Sequence, residues 1–312
     1  MTEKRLVVIH PHGFCSGVAR AIKTAESILT RFQGEPVYCL NEIVHNRHVV
    51  EGLKARGMIF IQALDMIPAG ALLLFSAHGV SPEVRRQANE LALRVIDATC
   101  PFVTKVHSEV MRFAADGLLV ICIGHRGHEE VIGVVGEAPQ RVIVVENALE
   151  AERLDLPCNA SLAVVTQTTL SEAQVAEVMT VLQRRFSGLS LPKLTDVCYA
   201  TRNRQQAVSI LAQHCERVLV LGSPNSSNSL RLVETAQAVG AEALLIGEVE
   251  QLHQLQWNEV RSVGLTSGAS TPEQFLDEAV AVLKGCYGFP EPEQLMTVQE
   301  VSHDFKIPKI PV

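Results

Sequence analysis

Cys15, Cys100 and Cys198 each stand at the head of a stretch with helical spacing of apolar residues. Val18, Ala21, Ile22, Ala25 and Ile28 follow Cys15. Pro101, of the type favoured at a first helical position, follows Cys100 and makes it a candidate N-cap. Cys198 precedes YATRNRQQAVSIL, with Val208, Leu211 and Ala212 on one face. The positive end of a helix stabilises negative charge, so a cysteine there is prepared as a thiolate, the form that binds metal. Three thiolates suit zinc or an iron–sulfur cluster. Structural zinc usually takes four protein ligands, so three cysteines fit better a cubane held at three irons with the fourth iron open to substrate. A zinc site completed by histidine is the alternative. Cys39, Cys122, Cys158, Cys215 and Cys286 are expected to be buried structural thiols, and no C-x-x-C pair occurs among the eight cysteines.

The cysteines set a spacing that recurs. His45 and His78 follow Cys15 by 30 and 63 residues (45 − 15, 78 − 15). His128 and Thr168 follow Cys100 by 28 and 68 (128 − 100, 168 − 100), and Ser226 and Ser270 follow Cys198 by 28 and 72 (226 − 198, 270 − 198). These six residues lie in polar loops: NEIVHN (41–46), SAHGVSPE (76–83), GHRGHEE (124–130), TQTTLSE (166–172), GSPNSSNS (222–229) and TSGASTPE (266–273). Histidine N–H groups, hydroxyls and helix N-termini together make an anion cradle that needs no net positive charge. His45, His78, Ser226, Ser227, Asn228 and Ser270 are candidates for it; N-capping of the following helix is a compatible role for the serines and the asparagine. Glu130, two residues after His128, is a candidate proton donor, because a carboxyl in a closed cavity holds its proton towards neutral pH. Glu129 is expected to be a solvated surface glutamate. Thr166, Gln167, Thr168 and Thr169 could hold a substrate hydroxyl or relay protons.

The elements that must carry these loops are apolar runs: ALLLFSA (71–77), GLLVICIG (117–124), SLAVVT (161–166), RVLVLG (217–222) and RSVGLT (261–266). They are nearly continuous, as strands buried on both faces of a parallel sheet are. Helical stretches separate them, such as Val103, Val106, Val110 and Phe113, ended by Asp116-Gly117. Alternation of this kind predicts an α/β fold with ligand sites at the carboxyl ends of the strands. The repeated spacing predicts three small α/β domains, 15–99, 100–197 and 198–285, with an N-terminal arm over 1–14 and a C-terminal arm over 286–312. Three equivalent cysteines in three such domains would converge on a central axis.

Composition excludes some classes. A net charge of −7 and no block of five like charges argue against a nucleic-acid surface. No apolar run reaches the length of a membrane span, and the apolar stretch after Lys4 and Arg5 is too short for a secretion signal. A cytoplasmic location is the expectation.

The stretches GFCSGVARAI, NEIVHN, SAHGVSP, DATCPFVTKVH, GHEEVIG, VTQTTLS, CYATRNRQ, GSPNSSNSLRL and TSGASTPE, from residue 13 to beyond residue 270, closely resemble the 4-hydroxy-3-methylbut-2-enyl diphosphate reductase (IspH/LytB) family of the methylerythritol phosphate route to isoprenoids. The resemblance implies three α/β domains with mostly parallel sheets around a pseudo-threefold axis and a central iron–sulfur site. It implies a [4Fe–4S] cluster on Cys15, Cys100 and Cys198, found as [3Fe–4S] once the open iron is lost. It implies a diphosphate set of His45, His78, Ser226, Ser227, Asn228 and Ser270, and places His128, Glu130 and Thr168 near the allylic hydroxyl, with Glu130 delivering the proton. The implied partners are the allylic diphosphate and a ferredoxin or flavodoxin as electron donor, with neither nucleic acid nor membrane. The chain departs from the family pattern at Ala19, where an acidic residue is frequent, at Arg202, where threonine or serine is frequent, and at Glu129, where proline is usual. Glu130 is taken as the catalytic glutamate because Val131-Ile132-Gly133 then falls in register.

Two other readings compete. Quinolinate synthase is similar in having three α/β domains, three cysteines and an open iron, but a dicarboxylate substrate would not call for hydroxyl-rich loops such as GSPNSSNS. A cluster-based redox sensor would need an output domain or a basic DNA-reading helix, and neither is visible.

Overall fold

The computed structural model describes residues 4–192, 195–298, 300 and 303–310. The chain divides into two compact units. The first holds the residues up to Val18, His45–Glu51 and Tyr199–Asp304; the second holds Ala19–Val44, Gly52–Cys198 and the residues from Phe305 onwards. No helix among the described residues is long and apolar enough to cross a membrane.

The second unit contains two four-stranded sheets. One is built from β2 (Val37–Leu40), β3 (Met58–Ile61), β4 (Leu72–Phe75) and β5 (Arg94–Asp97) in the order β3-β2-β4-β5. The other is built from β6 (Leu119–Ile123), β7 (Val142–Val145), β8 (Leu162–Thr166) and β9 (Leu189–Ser190) in the order β7-β6-β8-β9. The first unit contains β1 (Arg5–His10), β10 (Arg217–Leu221), β11 (Glu242–Ile246), β12 (Ser262–Ser267) and β13 (Glu293–Met296) in the order β11-β10-β12-β1-β13. Every pairing is parallel. The helices are α1 (Ser16–Arg31), α2 (Arg47–Ala55), α3 (Pro82–Glu90), α4 (Pro101–Ala115), α5 (Glu129–Glu137), α6 (Ala148–Glu152), α7 (Glu172–Arg185), α8 (Tyr199–His214), α9 (Ser227–Val239) and α10 (Glu273–Tyr287).

The three sheets share one plan, as the repeated spacing predicts. In each, a first strand (β2, β6, β10) lies between a second (β3, β7, β11) and a third (β4, β8, β12), and a fourth strand pairs with the third. In the second unit the fourth strands are β5 and β9. In the first unit the fourth strand is β1, from the segment expected as an N-terminal arm, and β13, from the expected C-terminal arm, adds a fifth. Val7 of β1 lies opposite Gly264 of β12 on one side and Glu293 of β13 on the other. Leu6 and Val8 enter a core with Phe275, Leu276, Ala279 and Leu283 of α10, while Val7 and Ile9 enter the opposite core with Val208 and Leu211 of α8 and Leu232 of α9. Each buried Leu, Val, Ile or Phe side chain among them contributes about 1.5–3 kcal/mol.

The five apolar runs identified in the sequence are β4, β6, β8, β10 and β12; each has a neighbour on both sides, as do β1 and β2. β4, β8 and β10 are buried at every residue. The sheet-edge strands β3 and β11 mix buried and exposed positions, which breaks the continuous apolar signal.

Candidate functional site

The three cysteines occupy the same local setting. Each immediately precedes a helix, α1, α4 or α8, and Cys100 is the N-cap of α4. Each backbone N–H donates to a carbonyl in the loop after a third strand: Cys15 to Ala269 (3.1 Å), Cys100 to Ala77 (2.9 Å) and Cys198 to Thr168 (3.1 Å). Those loops follow β12, β4 and β8, the strands that pair with β1, β5 and β9. All three cysteines are half-buried.

The remaining thiols are different. Cys39, Cys122 and Cys215 are buried, and burial pushes their pKa up, to about 12 for Cys122 and about 11 for Cys215. They are neutral core residues, as expected. Cys158 and Cys286, expected to be buried, are exposed. Cys158 sits in the turn ahead of β8 and Cys286 in the last turn of α10.

Buried polar groups hold the cysteine turns. Before Cys15, Gly13 adopts φ +70°, donates its N–H to Ser267 Oγ (2.8 Å), and accepts from Arg204 Nη2 (2.9 Å). Arg204 has no solvent exposure; its Nη1 donates to Glu300 Oε1 (2.7 Å) and to the Ala200 carbonyl (3.2 Å). Ser16 Oγ accepts from Tyr199 Oη (2.9 Å) and from the His303 N–H (3.1 Å). Before Cys100, Arg20 Nη1 donates to the carbonyls of Ala98 (3.1 Å) and Thr99 (3.0 Å). Before Cys198, Asp196 accepts from the Thr166 N–H (3.0 Å) and from Lys105 Nζ (2.8 Å). Glu109, beside this pair, has its pKa pushed up to about 7, chiefly by burial and next by Asp196. None of Arg20, Lys105, Glu109, Asp196, Arg204 and Glu300 was singled out from sequence. The available signal was the i,i+4 pair Lys105 and Glu109 on α4, which faces inward at Glu109.

The second unit also places His78, His128, Glu130 and Thr168. His128 caps α5, its Nδ1 accepting from the Glu130 N–H (3.2 Å), which leaves the proton of a neutral ring on Nε2. Glu130 is 2% exposed. Its Oε1 accepts from the Thr168 N–H (2.7 Å) and its Oε2 from Thr168 Oγ1 (2.9 Å). Burial holds this carboxyl above the usual carboxylate range, and the Thr168 bonds oppose the shift. The rings of His78 and His128 are 5.8 Å apart, edge to face. Glu129, expected in solvent, is half-buried, and its Oε2 accepts from His78 Nδ1 (2.9 Å). As the first residue of α5, its side chain turns towards the loop after β4 rather than outward. Ala19 and Arg202 are exposed.

The first unit places His45, Ser226, Ser227, Asn228 and Ser270. Ser226 caps α9, its Oγ accepting from the Ser229 N–H (3.3 Å). Asn228 Oδ1 accepts from the Ala269 N–H (2.9 Å), and its Nδ2 is buried without a hydrogen-bond partner among the described residues. Ser270 Oγ donates to the His45 carbonyl (3.0 Å). An orphaned amide N–H beside a capped helix N-terminus is a ready site for an anion. Two glycines bring these loops together. A Cβ on either Gly222 or Gly268 would lie 2.2 Å from Ser229 Oγ.

Each of the three thiols has the local setting of an iron–sulfur ligand. Three half-buried thiols stand at helix N-termini in matching turns, whereas the thiols of the core are pushed towards the neutral form.

Comparison with known proteins places this geometry. The family model described as LytB protein matches residues 6–284. A 4-hydroxy-3-methylbut-2-enyl diphosphate reductase of Rhodococcus opacus (strain B4) is 46% identical over 299 residues, covering 96% of this chain and 88% of that one. One from Tropheryma whipplei (strain TW08/27) is 46% identical over 307 residues, covering 98% and 97%. Among solved structures, the E-1-hydroxy-2-methyl-but-2-enyl-4-diphosphate reductase from Plasmodium falciparum matches with a TM-score of 0.95 at 39% identity, over 98% of this chain and 96% of that one. With matching turns at its three cysteines and relatives of this identity along nearly its whole length, the chain belongs to the LytB family.

Proposed function

We propose that the protein catalyses the reductive removal of the hydroxyl of 4-hydroxy-3-methylbut-2-enyl diphosphate, giving isopentenyl diphosphate and dimethylallyl diphosphate, the last step of the methylerythritol phosphate route. The observation that carries this reading is the cysteine turn repeated three times, together with the buried Glu130–Thr168 pair. Cys15, Cys100 and Cys198 would hold a [4Fe–4S] cluster. When bound, such a cluster supplies electrons one at a time and a Lewis-acidic iron.

The chain's own residues do the rest. The orphaned Asn228 amide, the N-terminus of α9, Ser226, Ser227, Ser270, His45 and His78 bind and orient the diphosphate. The hydroxyl leaves as water, and the reaction consumes two electrons and two protons. Glu130, whose carboxyl burial shifts towards the protonated form, delivers a proton at Oε1 or Oε2, and Thr168 holds that carboxyl in place through both of its hydrogen bonds. His128, whose Nδ1 caps α5, carries the proton of its neutral ring on Nε2. Electrons come from a ferredoxin or flavodoxin, and the thiolates suit the reducing cytoplasm.

Anaerobic iron and sulfide analysis, with visible and paramagnetic resonance spectra, tests this assignment. The protein as purified should carry three to four irons per chain (the number the cluster implies), with a spectrum perturbed by the allylic diphosphate. Cys100→Ser should lose the visible absorption. A normal spectrum in that variant would overturn the ligand assignment.

A further inference from the structure

His78 and Glu129 are 51 residues apart in sequence and meet at 2.9 Å, Nδ1 to Oε2. The two side chains are 14% and 25% exposed, so the contact is partly screened from solvent. A carboxylate only accepts, so His78 Nδ1 carries the proton. The same nitrogen lies 3.4 Å from Ser76 Oγ, a weaker contact within its own loop. The backbone supports the pairing from both sides. His78 lies in the loop after β4, with its N–H donating to Ser76 Oγ (3.3 Å), and Glu129 is fixed in the first turn of α5 behind the His128 cap.

This geometry gives Glu129 a task distinct from that of its neighbour. Glu130 faces Thr168 and is fully enclosed; Glu129 faces His78. An imidazole whose Nδ1–H is held by a carboxylate is fixed in ring orientation, so its Nε2 edge is presented in one direction. When Nε2 is also protonated, the ring is a cation whose charge the carboxylate balances, and Nε2–H is a charge-assisted donor suited to a phosphate oxygen. The same arrangement, in which a carboxylate orients a ligand-bearing histidine, tunes metal-binding imidazoles.

We propose that Glu129 is a positioning residue for diphosphate binding, acting through His78. The proposal rests on the reading that His78 contacts the diphosphate. Glu129 touches no reacting atom; it accepts from His78 Nδ1 and fixes the orientation of the ring. Removing it weakens binding of the anion more than it slows the chemical step.

The test uses anaerobically prepared holoenzyme and inorganic pyrophosphate as the probe, titrated against Glu129→Ala, Glu129→Gln, His78→Ala and the His78→Ala/Glu129→Ala double variant, with KM and kcat for the allylic diphosphate alongside. Glu129→Ala should weaken pyrophosphate binding roughly tenfold and raise KM by a similar factor, with a smaller effect on kcat. Glu129→Gln, which still accepts a hydrogen bond but carries no charge, should fall between wild type and Glu129→Ala. In the His78→Ala background the Glu129→Ala change should add nothing. Affinity unchanged or tightened in both Glu129 variants overturns the proposal, because the carboxylate would then be neutral towards the anion or repel it. An undiminished loss in the His78→Ala background overturns it as well, since the effect would not pass through His78. Full pyrophosphate affinity in His78→Ala alone sinks the reading of His78 beneath it, an outcome separable from failure at Glu129.

Discussion

At the scale of single residues, two adjacent glutamates meet different partners: Glu129 meets His78 and Glu130 meets Thr168. Glu130 is enclosed, and burial raises its pKa above the usual 4.5. In the proposed role of proton donor Glu130 must be protonated, so the contribution expected of it to turnover is present at low pH and falls as pH rises through its raised pKa. Glu130→Gln keeps the shape and removes the transferable proton. It should bind pyrophosphate as wild type does and lose about 10²–10⁴-fold in turnover. Retained activity would remove Glu130 from that role. Much at this scale was legible in the sequence. The recurrence of the three cysteines ahead of helices was legible, and the structure gives them matching turns. What was not legible depends on distance along the chain. Glu129 reads as a solvated charge until His78, 51 residues earlier, is seen against it. Arg204 reads as one more arginine on a helix until Gly13 and Glu300 close around it.

At the scale of elements, strand ends and helix starts make the site. The loops after β10 and β12 converge on Ser229, the residue whose N–H is capped by Ser226. A methyl group on Gly222 would stand 2.2 Å from Ser229 Oγ and 2.8 Å from its Cβ, so the start of α9 must move. Gly222→Ala should cost about 1–3 kcal/mol in stability and weaken pyrophosphate binding, checked by chemical denaturation and titration. Wild-type values for both would mean the two loops are looser than drawn. The central strands were visible in sequence because burial on both faces makes an unbroken apolar run. Strands β3, β11 and β13 were harder to see, because a sheet edge exposes part of each strand and dilutes that signal.

At the scale of the whole molecule, enclosed charge makes folding depend on pH. The Glu109 carboxyl is pushed up from 4.5 to about 7 by burial and by Asp196. Its native form therefore binds a proton more tightly than the unfolded chain does. The stability this contributes is fully present below about 4.5 and is lost as pH rises through about 7. Denaturation midpoints measured across that window should fall with rising pH, and Glu109→Gln should flatten the trend. An unchanged slope in that variant would assign the trend to another group.

The position of β1 has a consequence for how the protein is made. Its Arg5 pairs with Ser262, 257 residues later (262 − 5). At a synthesis rate of roughly 5–20 residues per second, the apolar segment LVVI leaves the ribosome about 13–50 s before its partner exists. During that time both sheets of the second unit can form, while this strand has no native neighbour. A nascent chain of this design is thus open to sticking to other chains through that strand until its last sixth emerges.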